Sequence, residues 1–276
     1  DTDIPGLPQP ERSFRISQTD PQRFNQVLNI FRNIIKVDIA PNQYTQTKMK
    51  FTRDVYAQPQ VVLTIQSPNE KDFAAFVQKN AQSIIDFLVK MEMNRQINEL
   101  EKKHSEVVLY LADSIFSCQF WAPVEIKSYK KGKDFFWASS NTASGLVNIC
   151  MYSYPYEGPE SLTPEALVAA RNRFAARIPG PSDGSYMTTS DAFAPGYRMF
   201  RLEGRLWCEL RGFWDVKNDF MGGPFVSYTT VDTTTQRVFT IDCYVYSPKN
   251  HKRNYMRELE HLLYLISVPD KTPADE

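Results

Sequence analysis

Two well-separated stretches of the chain repeat one order of residue types: a β-rich run, a Ser-Pro pair, then an amphipathic helical pattern. The first is Val61 to Ile65, Ser67-Pro68 and Phe73 through Leu88. The second is Val238 to Ile241, Ser247-Pro248 and Tyr255 through Ile266. Proline near a helix start does no harm, because its φ is already helical and the first turn has no use for its missing N–H. A strand that feeds straight into a helix narrows the fold, since the helix must return across the sheet that the strand joins. The expectation is an α+β chain of antiparallel sheets covered by helices. Its two related halves, an internal pseudo-repeat, are joined by a long helical segment and divide into 1–103 and 104–276, packed either separately or as one continuous domain.

Composition removes several classes of function. Lys+Arg and Asp+Glu balance at 32 each, so no long-range field gathers nucleic acid or an anionic bilayer. The 276 residues suffice for a core without metal or disulfide staples. With 18 Phe and 14 Tyr against 11 Gly, packed strands are favoured over phosphate-cradling loops. No apolar run reaches the ~20 residues that span a bilayer, and the chain as given reads as soluble. Asp1 to Pro10 is polar and proline-rich, an extended lead-in instead of a signal peptide. Cys118, Cys150, Cys208 and Cys243 lack Cys-x-x-Cys spacing, which argues against a zinc knuckle or dithiol site. Cys208 and Cys243 alternate with apolar neighbours, so they are either buried thiols or partners across strands.

Periodicity places a short helix over Gln22 to Phe31, with Phe24, Val27, Leu28 and Phe31 on one face. Strands follow at Ile34 to Ile39, Lys48 to Val55 and Val61 to Ile65. The longest helical signal starts at Asp72 and becomes an exposed, mostly charged bridge between Met93 and Glu106, with room for a break near Asn94. Strand-like Cys118 to Ile126, a basic turn from Lys127 to Lys133, and strands at Phe135 to Ser139 and Gly145 to Tyr154 come next. Thr163-Pro164-Glu165 then supplies an N-cap, a first-turn proline and a first-turn acid for a helix ending near Arg177. Strands at Tyr186 to Thr189, Tyr197 to Leu202, Arg205 to Val216, Phe225 to Asp232 and Arg237 to Tyr246 precede a closing helix, His251 to Ile266.

Each motif with catalytic spacing has a plainer reading. Gly180-Pro181-Ser182-Asp183-Gly184 matches a nucleophile elbow, with Asp191 and His251 or His261 downstream. An elbow needs a strand before its serine and a helix after it, and here the order is reversed. Glu101/His104 and Glu258/His261 have Glu-x-x-His spacing, yet a di-iron bundle needs two further helices, each with an inward acid. Ser128/Lys131 fits Ser-x-x-Lys without a helix start or a Lys-Thr-Gly partner. No catalytic residue, cofactor or metal is therefore assigned. Two features remain as a candidate partner surface. Tyr152, Tyr154 and Tyr156 share one face of an extended run, where they either contact a partner or lie under a helix. Phe220 and Met221 precede Gly222 and Gly223 in a segment that is either a mobile recognition loop or a wide hairpin.

Phe31 to Asp38, Tyr44 to Phe51, Met93 to Gln96, Trp137 to Thr142 and Lys217 to Ser227 resemble, in order, a family of envelope lipoproteins from Bacteroidetes, the domain of unknown function DUF4837. The resemblance runs over nearly the whole chain. It implies an export signal and a lipid-bearing cysteine, neither of which is in this chain, so the sequence reads as a processed or trimmed form. It also implies a life in the cell envelope, periplasm or outer membrane, with the membrane reached only through that anchor. The reading that results is a non-catalytic module binding an unknown envelope protein or polymer, and no nucleic acid. The alternatives are a hydrolase of an envelope polymer or glycan using Glu203, Glu209 or Asp215, and a structural subunit of an envelope assembly.

Overall fold

The computed structural model describes residues 7, 9–140, 145–248 and 250–267. Pro5 and Pro8 of the expected lead-in, and Asn141 and Thr142 of the family-like segments, lie outside the described residues. The chain forms two compact units, Arg15–Asn98 on its own and Asp1–Phe14 with Glu99–Glu276.

The smaller unit is a three-stranded sheet and a helix. Strands β1 (Asn33–Ile39), β2 (Lys48–Arg53) and β3 (Val61–Ser67) lie in the order β1-β3-β2. β1 runs parallel to β3 and β2 antiparallel to it. The registers put Ile35 and Phe51 beside Leu63, and Val37 and Met49 beside Ile65, which makes one face apolar. Helix α1 (Glu70–Lys102) covers that face, where its Phe87 ring meets Phe51 at 5.1 Å. Asn69 caps the helix by accepting the Asp72 N–H at 2.8 Å. Farther along, Glu92 and Arg95 close a buried polar cluster on Asn33, with Arg95 donating to the Asn33 side chain at 3.0 Å. α1 runs unbroken past Asn94, and the stretch after Met93 is not wholly exposed: Arg95 is buried in this unit, and Leu100, which belongs to the larger unit, packs into that unit's core.

The helix expected over Gln22 to Phe31 does not form. Only a 3₁₀ turn, Pro21–Arg23, is present. The Asn25 side chain accepts the N–H groups of Val27 and Leu28 at 3.0 and 3.3 Å, competing with helical bonding. Buried Gln60 then fixes the loop by donating to the Asn29 and Phe31 carbonyls at 2.6 and 2.8 Å, and Val27 and Phe31 stay exposed.

The larger unit begins with α2 (Glu106–Phe116), capped by Ser105, and β4 (Gln119–Phe120). Then come β5 (Ile126–Gly132), β6 (Phe135–Ser140), β7 (Leu146–Pro155) and α3 (Pro164–Ala175). Next are β8 (Tyr186–Thr189), β9 (Gly196–Leu202), β10 (Arg205–Lys217), β11 (Gly222–Asp232) and β12 (Arg237–Tyr246). α4 (Arg253–His261) and β13 (Ile266–Ser267), which pairs with β4, complete it. The main sheet is antiparallel in the order β5-β6-β7-β12-β11-β10-β8, with β9 on β10.

The central strands of this sheet are buried on both faces, whereas β5 and β9 are largely exposed. Phe136, Ile149, Met151, Ile241, Cys243 and Val245 pack with α2 and α4 through Val108, Leu111, Met256 and Leu259. Phe135, Cys150, Tyr152, Cys208, Trp214 and Tyr244 pack with Leu167 and Phe174 of α3. Cys208 and Cys243 thus lie on opposite faces and do not meet across strands, and all four thiols are buried and unpaired. The strand expected from Cys118 to Ile126 shrinks to β4. The basic turn expected from Lys127 to Lys133 is instead the edge strand β5.

The two stretches that read alike share their local order and little around it. β3 has one parallel neighbour and leads into a 33-residue helix, whereas β12 has two antiparallel neighbours and leads into a 9-residue one.

Three buried charges, an ion pair and a helix-capping acid, lock the larger unit. Arg171 of α3 forms a two-point ion pair with Asp242 of β12 at 2.8 and 3.2 Å, bonds Thr189 at 2.9 Å and lies 3.7 Å over the Phe225 ring. Near the chain start, buried Glu11 accepts the N–H groups of Lys252 and Arg253 at 2.8 and 2.9 Å. It supplies the cap that α4 lacks from its own sequence.

Candidate functional site

Local chemistry shapes the turn between β10 and β11. Asn218 takes a left-handed conformation, φ +64°, which asparagine tolerates better than most residues. Asp219 accepts the Phe220 N–H at 2.7 Å through one oxygen and the Ser182 hydroxyl at 2.6 Å through the other, so the turn is tied to the segment between α3 and β8. On this braced tip the Phe220 side chain is fully exposed, with a relative accessibility of 107%. Met221 instead packs against the α3-side core.

Gly222 and Gly223 belong to β11, opposite Asp215 and Trp214, and they do not form a hinge. A Cβ on Gly223 would sit 2.3 Å from the Val245 carbonyl oxygen and 3.0 Å from Trp214 Nε1. Glycine is required there by close approach, and the indole donates to the Val245 carbonyl at 3.2 Å.

The tyrosines divide by depth. Tyr152 is 2% exposed and stacks on Phe174 at 4.3 Å. Tyr154 is half-buried under the Arg173 guanidinium, 5.1 Å from its ring, and burial pushes its hydroxyl up to about 12. Tyr156, also half-buried, ends the run by donating its N–H to the Gln236 carbonyl at 3.0 Å. α3 therefore roofs the first two, and the structure does not bring the tyrosine face together with Phe220 as one open surface.

A cleft of about 520 Å³ does adjoin the segment that braces Phe220. Lys130, Lys131 and Gly132 of β5, Phe135, Arg177, and Gly184 to Tyr186 line it, and no carboxylate does. The Arg177 guanidinium sits 4.6 and 5.3 Å over the Phe174 and Phe135 rings and donates to the Lys133 carbonyl at 3.2 Å. Lys130 donates to the Arg177 carbonyl at 3.0 Å. In the sequence these lysines read as a basic turn, and Arg177 marks only the end of a helix. Its position four residues past Arg173, at the end of a well-signalled helix, is the signal that the sequence carries.

The acids named for the hydrolase alternative do not form a pair. Glu209 and Asp215 stand six residues apart on β10, about 20 Å at strand rise, whereas glycosidase carboxyls sit about 5 to 9.5 Å apart. Glu203 lies in the exposed turn between β9 and β10. Burial pushes the Glu209 carboxyl up. The Arg198 bond at 2.6 Å and the Arg211 charge overcome that effect and leave it below its ordinary range. Arg211 is in turn held by Glu260 at 2.5 Å.

The remaining motifs have structural uses. Ser182 belongs to a turn closed by Ser185 and donates to Asp219, with no histidine as its partner. His104 stacks on Trp121 at 5.6 Å and bonds the Leu100 carbonyl at 2.8 Å, while Glu101 is exposed. Glu258 is pushed up by burial and by Glu125 and Glu99. Among the described residues, no group of three or more His, Cys, Asp or Glu is placed to hold a metal.

Comparison with known proteins adds family matches over both parts of the chain. A family model described as a domain of unknown function, DUF4837, matches residues 107–265, and a second, the domain of unknown function DUF8532, matches residues 1–101. No curated protein matches. Among solved structures, one from Bacteroides thetaiotaomicron VPI-5482 aligns at 10% identity with a TM-score of 0.26, over 56% of this chain and 46% of that one. The chain thus spans less than half of that neighbour's length.

Proposed function

We propose a function from one premise: the chain belongs to the DUF4837 family, a domain of unknown function. The protein is an exported, lipid-anchored module of the cell envelope that binds a partner protein or polymer and performs no chemistry of its own. The observation that carries this reading is Phe220, a large apolar side chain fully exposed on a turn whose hydrogen bonds hold it in place. A braced aromatic in that position adds contact area at little entropic cost, which is how interface anchors work. Resemblance to envelope lipoproteins supports export and anchoring. Among the described residues no helix is long and apolar enough to cross a membrane, and in this reading the anchor is the only membrane contact. The spacing of Glu203, Glu209 and Asp215 weighs against the hydrolase alternative.

Crosslinking in living cells, with wild type and Phe220→Ser compared, tests the reading. Discrete adducts should form with the wild type and fade in the variant at equal protein level. Equal adducts from both, or release of small fragments from envelope polymers by the purified chain, would overturn it.

A further inference from the structure

Strand β5 carries Lys127, Lys130 and Lys131, Lys133 follows it directly, and among the described residues no strand pairs with its second edge. Lysines on an edge strand ordinarily keep other chains away. The surroundings here have a different character. Lys130, Lys131 and Gly132 of this strand line the 520 Å³ cleft together with Phe135 of β6 and residues between Ala176 and Tyr186. Asp134, the acid in the turn after β5, is engaged by Arg237 at 2.9 Å. Arg177 is held by two aromatic rings and one carbonyl, so its guanidinium is oriented before any ligand arrives.

We propose that this cleft receives an extended, carboxylate-rich segment of a partner polypeptide. Its backbone pairs with the free edge of β5 while its carboxylates meet Arg177 and the β5 lysines. The proposal rests on the binding-module reading and names its partner class. A peptide fits better than an acidic glycan, because an open edge offers N–H and C=O groups at strand spacing and only another backbone repeats that ladder. Positive charge without a lining carboxylate selects acidic over basic or neutral segments.

The test uses the full chain with poly-L-glutamate as the probe, polygalacturonate as the rival polyanion, and hydrogen exchange to locate binding. Poly-L-glutamate should bind and slow the β5 amides, and binding should fall as salt rises. Replacing Lys130→Glu and Lys131→Glu together should weaken it about tenfold or more. The same reversal at exposed Lys48 and Lys50 of β2 should change it little. Melting temperature checks that each variant is folded. No binding of poly-L-glutamate, or binding that leaves the β5 amides unprotected, would overturn the proposal. So would binding indifferent to the Lys130/Lys131 reversal. Tighter binding of polygalacturonate with unchanged β5 amides would overturn the peptide assignment while leaving the binding-module reading in place.

Discussion

In the larger sheet, β12 is buried from Val238 to Val245, with α2 and α4 on one face and α3 on the other. In the smaller sheet, β3 is buried at Val61, Val62, Leu63 and Ile65, yet its neighbours leave Ile35, Val37, Ile39, Met49 and Phe51 exposed. The strands are equally apolar, so the difference comes from the width of the cover. One helix is about 10–12 Å across, and strands lie ~4.8 Å apart. A single helix therefore covers a central strand and only the inner margins of the strands beside it. The same apolar side chain is core under two layers of helix and surface beside one.

Substitutions that exploit this contrast differ in size. The largest effect should come from the doubly covered sheet. Arg171→Met leaves Asp242 charged and buried without its partner, an expected cost of about 3–5 kcal/mol in denaturant unfolding. A cost under about 1 kcal/mol would show that the ion pair does not hold α3 to the sheet. In the singly covered sheet, Leu63→Ala should cost about 2–5 kcal/mol. Ile35→Thr, on the same face, should cost less than about 0.5 kcal/mol, as exposed positions do. Equal costs would mean that the flank of β1 is core after all.

A smaller effect depends on pH. Because Glu209 sits below its ordinary range when folded, its contribution to stability is fully present above about pH 4.5 and is lost as pH falls through the folded value. Glu209→Gln should lower the melting temperature at pH 7, and the gap should narrow on acidification below pH 4.5. A gap independent of pH would remove Glu209 from the charge network. The hairpin tip holds one modest effect and the smallest of all. Met221→Ser should cost about 1 kcal/mol through lost packing, and Phe220→Ser close to nothing, since its side chain touches no core. A loss of melting temperature with Phe220→Ser would place that residue in the core.

Several of these elements were legible in the sequence because local chemistry alone specifies them. Thr163-Pro164-Glu165 starts α3 where its cap, proline and acid require, and Tyr186 to Thr189 forms β8. The resemblance was legible in part: Trp137 to Thr142 and Lys217 to Ser227, the hairpin that bears Phe220, fall within the DUF4837 match, whereas Phe31 to Asp38, Tyr44 to Phe51 and Met93 to Gln96 fall in the stretch matched by DUF8532. Elements decided by tertiary context were not legible. β5 reads as a turn because lysines suit an exposed edge as well as a loop. Gln22 to Phe31 reads as a helix because nothing in its own residues announces that Gln60 will claim two of its carbonyls. Asp242, a lone acid between Ile241 and Cys243, hints at a buried partner without naming Arg171, 71 positions earlier. Of the candidate surface, Phe220 is fully exposed. Tyr152, Met221, Gly222 and Gly223 are engaged in packing, and the basic cleft beside the hairpin emerges only when β5 and the end of α3 come together.

The most direct measurement is photocrosslinking in living cells, with a photoreactive phenylalanine analogue placed at position 220, 152 or 35 in turn. Phe220 is the braced exposed tip, Tyr152 is roofed by α3, and Ile35 lies on the exposed flank of the smaller sheet. Adducts of defined mass should arise from position 220 and be absent from position 152. Adducts from position 35 with none from position 220 would contradict the account and move the partner surface to the half-covered sheet.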